Sequence, residues 1–235
     1  KRALFSKMES VAKPGAVLAT NTSSLKLEDI STALKDPARL VGIHFFNPVP
    51  QLPLVEVVSG RNTAKDVAQN AAAFVRQIDK LPLPTTDAPG FLVNRVLGPY
   101  MQNALELIGK GVKPETLDAA MVAFGMPIGP AELVDTVGLD ICLHAGKSLA
   151  KGANAQVLKF MEEKVAAGQL GRKSGQGIYT WVGGKPSKGQ ADAYDQKLID
   201  DLIAPYLKEA KAAVAEGIVA DADLADAGLI FGTGF

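Results

Sequence analysis

Residues 40–60 read LVGIHFFNPVPQLPLVEVVSG, and this stretch decides the fold. Two apolar runs, residues 40–46 and 52–58, are rich in β-branched and aromatic side chains and are bounded by Pro and Gly. That pattern predicts two buried strands. Each strand carries one ionisable residue, His44 or Glu56, where a core strand normally has none. A buried charge is costly unless it is paired, so we expect the two side chains to meet.

The predicted pair of His44 and Glu56 supports two interpretations. A carboxylate beside an imidazole fixes its tautomer and stabilises its charged form, which makes the histidine a competent proton acceptor. A buried polar pair can also serve only to fix the register of two strands. The spacing of the two residues leaves both interpretations open.

The segments around these strands complete an α/β pattern, in which a strand is followed by a polar turn and then a helix. We predict, in chain order, a helix over residues 1–12, a strand over 16–20, a helix over 25–34, a helix over 64–78 and a strand over 81–86. Ligands of open α/β sheets bind beyond the carboxyl ends of the strands, which places Asn21 and Ser23 where a ligand would lie. The same polar run can act as a plain helix cap.

From residue 91 onward the sequence is typical of helices. We predict helices over residues 91–109, 114–124 and 156–167, two helices within 128–150 that break near 137–138, a strand over 178–182 and a polar linker over 183–189. Residues 171–177 read GRKSGQG, but their glycine spacing fits neither a dinucleotide nor a P-loop fingerprint, so we expect a turn. The sequence therefore predicts an α/β sheet followed by an all-α domain.

The tail repeats an earlier segment. Residues 205–234 align with residues 99–129 at Pro-Tyr, Ala, Gly, Leu and Phe-Gly positions, with a one-residue slip in the middle. Such self-similarity predicts a duplicated helical unit whose second copy is shortened. Chance similarity between two alanine-rich helices is the alternative.

Composition excludes several classes of function. The chain has 25 basic and 25 acidic residues, which does not favour nucleic acid or an anionic membrane as a partner. No signal peptide or bilayer-spanning apolar stretch is visible. The single Cys142 excludes an intramolecular disulfide and a cysteine-cluster metal site, so we expect no metal and a reducing, cytoplasmic setting. Its apolar context favours an inert packed thiol over a nucleophile.

Six blocks of this sequence carry a family resemblance. GAVLATNTSSL, GIHFFNPVP, LVEVV, DAPGFLVNR, GMPIGPAELVDTVGLD and GRKSGQGIY together resemble the L-3-hydroxyacyl-CoA dehydrogenases of fatty-acid β-oxidation. The tail from about residue 190 resembles the second helical unit of the bifunctional hydratase–dehydrogenases. The resemblance implies a partial dinucleotide-binding (Rossmann-like) sheet followed by an all-α domain. Its segments are the C-terminal half of an NAD-binding domain (1–88), a helical C-terminal domain (89–185) and a truncated second helical repeat (186–235).

The resemblance also implies a reaction and a role for each candidate residue. The cofactor would be NAD, the substrate a 3-hydroxyacyl-CoA, and the helical domain would form a homodimer. The implied catalytic residues are His44 as general base, Glu56 as its partner, and Ser23 and Asn94 as hydrogen-bond partners of the substrate oxygen. The implied cofactor-binding residues beside the nicotinamide are Asn21, Ser23 and Asn47.

One departure from the family pattern limits this reading. No Gly-x-Gly-x-x-Gly motif follows a strand, and no acidic residue is placed to hold the adenosine ribose. We therefore expect a fragment that lacks most of the anchor for NAD and is inactive, or nearly so, by itself. The alternative is a non-catalytic helical dimerisation or assembly module. The retained set of Ser23, His44, Glu56 and Asn94 favours catalysis, and other β-hydroxyacid dehydrogenases lack the HFFNP block.

Overall fold

The computed structural model describes residues 1–23, 26–149 and 154–234. The elements in chain order are α1 (Arg2–Val11), β1 (Leu18–Thr20), α2 (Leu27–Ser31), β2 (Leu40–Phe45), β3 (Leu54–Ser59), α3 (Lys65–Gln77), β4 (Leu81–Thr86), α4 (Val93–Gly109), α5 (Pro114–Phe124), α6 (Pro130–Val137), α7 (Leu139–Leu149), α8 (Ala155–Ala166), β5 (Thr180–Val182), β6 (Lys185–Ser187), α9 (Gln196–Ala215) and α10 (Ala222–Thr233). The predicted helix limits at residues 25 and 150 lie outside the described residues, as does residue 235.

The chain divides into two compact units. The first comprises residues 1–95 and 210–234, and the second comprises residues 96–209. The end of the chain therefore returns to the unit that holds the sheet. The segments 1–88, 89–185 and 186–235 remain a prediction.

The first unit is built on a four-stranded sheet in the order β1-β2-β3-β4. β1 runs parallel to β2, β2 runs antiparallel to β3, and β3 runs parallel to β4. In this register His44 lies directly opposite Glu56, and Glu56 lies beside Leu83 of β4. Side chains alternate between the faces of a sheet, so these three residues share one face.

The two faces of the sheet pack against different elements. α3 covers one face, where its apolar residues pack on Val41, Ile43, Val55 and Val57. The opposite face carries His44 and Glu56. There, part of the apolar core joins residues of α1, α2 and the strands to Phe91, with members Phe5, Leu18, Leu27, Ile30, Leu40, Val58 and Phe91. The burial of both faces explains why residues 40–46 and 52–58 are apolar almost throughout.

The second unit corrects one prediction. Residues 183–189 are not only a polar linker, because Lys185–Ser187 forms β6 and pairs antiparallel with Thr180–Val182. Gly183 and Gly184 join the two strands with φ values of 59° and 78°. Two successive residues with positive φ are what a tight two-residue hairpin turn requires, and glycine meets that need without a steric cost.

The two copies of the predicted repeat end their first helix in the same way. In α4, the Gly111 N–H bonds to a carbonyl three residues earlier and the Val112 N–H to one five residues earlier. In α9, the N–H groups of Gly217 and Ile218 make the matching bonds. Both glycines have positive φ, 94° and 70°. This shared C-terminal turn supports the duplication.

Candidate functional site

The first unit brings His44 and Glu56 together, and we call this pair the dyad. Glu56 Oε2 accepts a hydrogen bond from His44 Nδ1 over 2.7 Å. The two side chains are nearly inaccessible, with relative exposures of 6% for His44 and 0% for Glu56. The predicted contact across adjacent strands is therefore confirmed. Because Nδ1 donates to the carboxylate, Nε2 is left as the proton-accepting nitrogen of the ring.

The second oxygen of Glu56 is held by backbone groups. Glu56 Oε1 accepts hydrogen bonds from the Leu92 and Val93 N–H groups, each over 3.0 Å. α4 begins at Val93, and the first N–H groups of a helix have no partner within the helix. The positive end of the helix dipole also favours an anion at this position. Sequence reasoning missed this clamp, although the predicted helix start near residue 91 implied unpartnered N–H groups there.

Aromatic rings enclose the imidazole. The rings of Phe46 and Phe91 meet the His44 ring edge-on, with centroid distances of 4.8 and 5.4 Å. Phe91 has a φ of 52° and follows Gly90, whose φ is 79°. An alanine-like carbon on Gly90 would lie only 2.9 Å from the Arg95 backbone nitrogen, so this tight turn requires glycine. The turn sets Phe91 against the histidine and presents the next two N–H groups to Glu56.

The predicted cofactor residues lie beyond the carboxyl ends of two parallel strands. Asn21 and Ser23 follow β1, and Asn47 follows β2; all three are exposed. Asn21 Oδ1 accepts a hydrogen bond from Phe45 N–H over 3.1 Å, which fixes Asn21 beside the end of β2. Asn94 is half-buried in the first turn of α4. Among the described residues, no hydrogen bond joins Ser23, Asn47 or Asn94 to the dyad.

Two further buried carboxylates lie in the second unit. Asp135 accepts hydrogen bonds from Ile178 N–H, Tyr179 N–H and Trp181 Nε1–H over 2.7 to 2.9 Å. Asp118 accepts from the Ala131 backbone N–H, the Tyr179 hydroxyl and the Lys188 ammonium. These donors occupy both oxygens of each carboxylate, so the two aspartates hold the segment 171–188 in place. Sequence reasoning did not identify this network.

Residues 171–177 form the turn that the glycine spacing predicted. Gly171 and Gly177 press against Asp135, and an added carbon at either position would lie about 2 Å from its atoms. Glycine is therefore required at both positions, because Gly171 packs on the backbone carbonyl of Asp135 and Gly177 packs on its carboxylate. Cys142 lies partly buried among apolar neighbours, and burial raises the pKa of its thiol to about 12. The structure thus supports an inert thiol.

No helix within the described ranges is long and apolar enough to cross a membrane.

Two family models match the chain. The model described as 3-hydroxyacyl-CoA dehydrogenase, NAD binding domain, matches residues 1–88, and the model of the C-terminal domain of the same family matches residues 90–181. The fatty acid oxidation complex subunit alpha of Pseudomonas paraeruginosa is 36% identical over 259 residues, which cover 100% of this chain and 36% of that protein. The chain therefore spans about a third of the length of the curated relatives it matches.

Solved structures agree with these matches. A 3-hydroxybutyryl-CoA dehydrogenase from Escherichia coli K12 is 25% identical with a TM-score of 0.87, over 100% of this chain and 69% of that one. An (S)-3-hydroxybutyryl-CoA dehydrogenase from Ralstonia eutropha is 34% identical with a TM-score of 0.71, over 77% of this chain and 66% of that one. The predicted fold class, a dinucleotide-binding type of α/β sheet followed by a helical domain, is confirmed.

Proposed function

Because this chain belongs to the 3-hydroxyacyl-CoA dehydrogenase family, we propose that it forms the catalytic part of an NAD-dependent oxidoreductase. The reaction would convert an L-3-hydroxyacyl-CoA to the 3-ketoacyl-CoA in fatty-acid β-oxidation. One observation carries the proposal: the buried dyad, in which Glu56 is bonded to His44 on one oxygen and clamped by two N–H groups on the other. The clamp holds the carboxylate in a fixed position beside Nδ1, which leaves His44 oriented with Nε2 as its accepting nitrogen, the arrangement that a general base requires.

The residues of the dyad would carry out the proton transfer of this reaction. An alcohol can lose hydride at neutral pH only if its O–H proton leaves as well, because a free alkoxide is inaccessible. His44 would take that proton on Nε2 while Glu56 holds Nδ1–H and stabilises the imidazolium that forms. A positioned general base of this kind typically contributes about 10²–10⁴ in rate. In the reverse direction, the imidazolium would return the proton to the ketone oxygen.

Two polar side chains would act on the substrate oxygen. Ser23 follows β1, and Asn94 follows Val93 directly in the first turn of α4. We assign both as hydrogen-bond partners placed where charge on oxygen changes during the reaction, which is where such groups lower a barrier. These roles follow from the family motifs that the two residues occupy.

The residues at the sheet edge fit the nicotinamide end of NAD. Asn21 uses its side-chain oxygen to bind Phe45 N–H, so its NH₂ group is the donor it can still offer. Ser23 and Asn47 add a hydroxyl and a second amide at the same edge. Such groups match the carboxamide of the nicotinamide ring. When bound, NAD supplies the hydride acceptor. Since the chain contains no Gly-x-Gly-x-x-Gly, we propose that alone it binds NAD weakly.

We also propose a homodimer and a cytoplasmic location. Apolar residues of α4, such as Tyr100 and Ala104, are already buried within the chain, with exposures of 1% and 0%. A dimer would therefore use exposed apolar side chains of the second unit, such as Val122 and Phe124. Sedimentation at micromolar concentration tests this, and a stable monomer would contradict it.

The activity test compares two proteins. One is the 235-residue chain as it stands. The other is the same chain joined at Lys1 to a Gly-x-Gly-x-x-Gly segment from a family relative. Each is titrated with NAD and assayed for oxidation of (S)-3-hydroxybutyryl-CoA by the formation of NADH. We expect the first protein to bind NAD weakly and to show little activity. We expect the second protein to bind NAD and to oxidise the substrate.

Substitution of the base completes the test. His44→Gln in the joined chain should abolish oxidation without preventing NAD binding. A joined chain that binds NAD and oxidises no 3-hydroxyacyl-CoA would contradict the enzymatic proposal. Micromolar NAD binding by the 235-residue chain would contradict the proposal that it binds NAD weakly.

A further inference from the structure

Helix α10 lies against the sheet face that carries the dyad. α10 packs on β3, and its Gly228 approaches Leu83 and Leu92 so closely that an added carbon would lie 2.5 and 2.8 Å from their Cδ2 atoms. Leu83 is the β4 neighbour of Glu56 in the strand register. Leu92 donates its N–H to Glu56. One glycine of α10 therefore touches two of the residues that surround the buried carboxylate.

A second glycine of α10, Gly232, lies one helical turn after Gly228 and contacts two further residues near Glu56. A carbon added to Gly232 would lie 2.7 Å from Val93 Cγ2 and 2.9 Å from Leu54 Cδ2. Val93 supplies the other N–H of the clamp on Glu56. Leu54 lies two residues before Glu56 and therefore on the same face of β3. Together the two glycines let the α10 backbone pack directly on both residues of the clamp.

Hydrogen bonds from two residues, Arg95 and Thr86, fix the segment that leads into α10. The guanidinium of Arg95, two residues after the clamp, donates to both oxygens of Glu216 over 2.8 and 2.9 Å. The Thr86 N–H at the end of β4 donates to the Ile218 carbonyl over 2.9 Å. The tail is thus tied to the chain both before and after the turn that presents the clamp.

From these contacts we propose that Gly228 and Gly232 are positioning residues of the reaction. α10 presses Leu92 and Val93 toward Glu56, and Glu56 in turn orients His44. The inference rests on the proposed function, since it needs the dyad to be the catalytic pair. It assigns a part in catalysis to residues 222–233, which lie outside both family-model matches. The helix would act through the clamp and would not touch the substrate.

The test replaces each glycine by alanine. In Gly232→Ala the new carbon meets Val93, a stiff β-branched side chain, so Val93 and its N–H must shift. Gly228→Ala meets only the flexible ends of two leucines and should act more weakly. Gly109→Ala is the matched control, because that glycine ends α4 with nothing within 4 Å. Alanine has a higher helix propensity than glycine, so at these three positions a loss of amide protection or of activity cannot come from helix propensity.

The first readout needs no activity and uses the 235-residue chain. Amide exchange followed by NMR should show the Leu92 and Val93 amides opening at least roughly tenfold faster in Gly232→Ala. Amides of α3, on the opposite face of the sheet, should keep their protection. The control variant should leave both sets unchanged. Unchanged protection of the Leu92 and Val93 amides in a folded Gly232→Ala would overturn the proposal.

The second readout is turnover in the joined chain. Gly232→Ala should lower kcat roughly tenfold, a part of the 10²–10⁴ that a general base contributes, with KM within about twofold. Shortening the opposing side chain in the double variant Gly232→Ala with Val93→Ala should restore most of kcat. If His44→Gln is inactive while Gly232→Ala turns over normally, only this inference fails. If His44→Gln stays active, the proposed function fails with it.

Discussion

Tyr100 and Tyr206 hold the same position in the two copies of the helical repeat, and their buried rings pack edge to face with centroids 6.1 Å apart. A second contact joins the same helices, since Asn103 Nδ2 donates to the Asp201 carbonyl over 2.8 Å. α9 therefore covers apolar surface of α4 within one chain. The second copy of the repeat thus packs on the first copy within the same chain.

The environment of the Tyr100 hydroxyl leads to a prediction about the stability of the fold. The hydroxyl is buried, and within the described residues it has no hydrogen-bond partner, so burial raises the pKa of this tyrosine. Tyr100→Phe removes an unsatisfied polar atom and should leave the free energy of unfolding unchanged or raise it by up to about 1 kcal/mol. Tyr194→Phe, at an exposed site, is the control. Thermal denaturation checks both, and a clear loss in Tyr100→Phe would contradict the assignment.

Glu56→Gln should slow turnover far more than it weakens substrate binding. A glutamine at this position would present its NH₂ group to His44 Nδ1, since its oxygen is retained by the Leu92 and Val93 N–H groups. Nδ1 would then have to accept, and Nε2 would carry the proton that it should remove. We expect kcat to fall by about 10²-fold with little change in KM.

The matched control for this prediction is Glu163→Gln, on the exposed side of α8. It should leave both kinetic parameters unchanged. Equal losses in kcat and in substrate binding for Glu56→Gln would instead point to a structural role of the pair.

Replacement by asparagine should destabilise the protein more at Asp135 than at Asp140, another aspartate of the second unit. Asp135→Asn places an NH₂ group among three N–H donors in a fully buried site, and we expect a loss of about 3 kcal/mol in the free energy of unfolding. Asp140→Asn breaks a partly exposed pair with Lys173 and should cost less than about 1 kcal/mol. Urea denaturation of both variants measures the difference, and similar losses would contradict it.

The Arg95–Glu216 pair should give a defined dependence of stability on pH. The hydrogen bonds from Arg95 lower the pKa of Glu216 below its ordinary value. A carboxylate with a lowered pKa in the folded state contributes stability above its unfolded pKa and loses it as the pH falls through the folded pKa. Glu216→Gln should therefore lower Tm at pH 7 but match the parent protein well below about pH 4. A difference in Tm that persists at low pH would exclude this origin.

Cys142 should resist alkylation while the chain is folded. Its raised pKa of about 12 leaves very little thiolate at pH 8. In guanidinium chloride the thiol should react as an ordinary cysteine, with a pKa near about 8.5. The rate of iodoacetamide labelling in both states, followed by mass spectrometry, makes the comparison. Rapid labelling of the folded chain would mean that the thiol is reactive.

Sequence patterns were informative where burial leaves a signature in residue type. The strands around His44 and Glu56 are apolar on both faces because both faces are covered, so the two ionisable residues were conspicuous. Proline and glycine marked the limits of most helices, and Pro114–Phe124 was predicted to the residue. The turn at residues 171–177 was also predicted, because its glycine spacing excluded the phosphate-binding fingerprints.

Other features carry no such signature. The clamp on Glu56 consists of backbone N–H groups at Leu92 and Val93, which any residue type could supply. The strand Lys185–Ser187 is three residues long and contains a proline, so its composition resembles a linker. Asp118 is polar within a helix, which usually indicates an exposed position, and its partner Tyr179 lies 61 residues away. Such long-range partners cannot be read from local periodicity.

The position of α10 also sets the order in which a newly made chain acquires its catalytic pair. His44 and Glu56 leave the ribosome long before Gly228 and Gly232. At typical synthesis rates of about 5–20 residues per second, the delay is on the order of 10–30 s. During that time the nascent sheet lacks the helix that presses Leu92 and Val93 toward Glu56. The base is therefore supported only once α10 has docked, and a chain terminated before residue 222 would carry the dyad without that support.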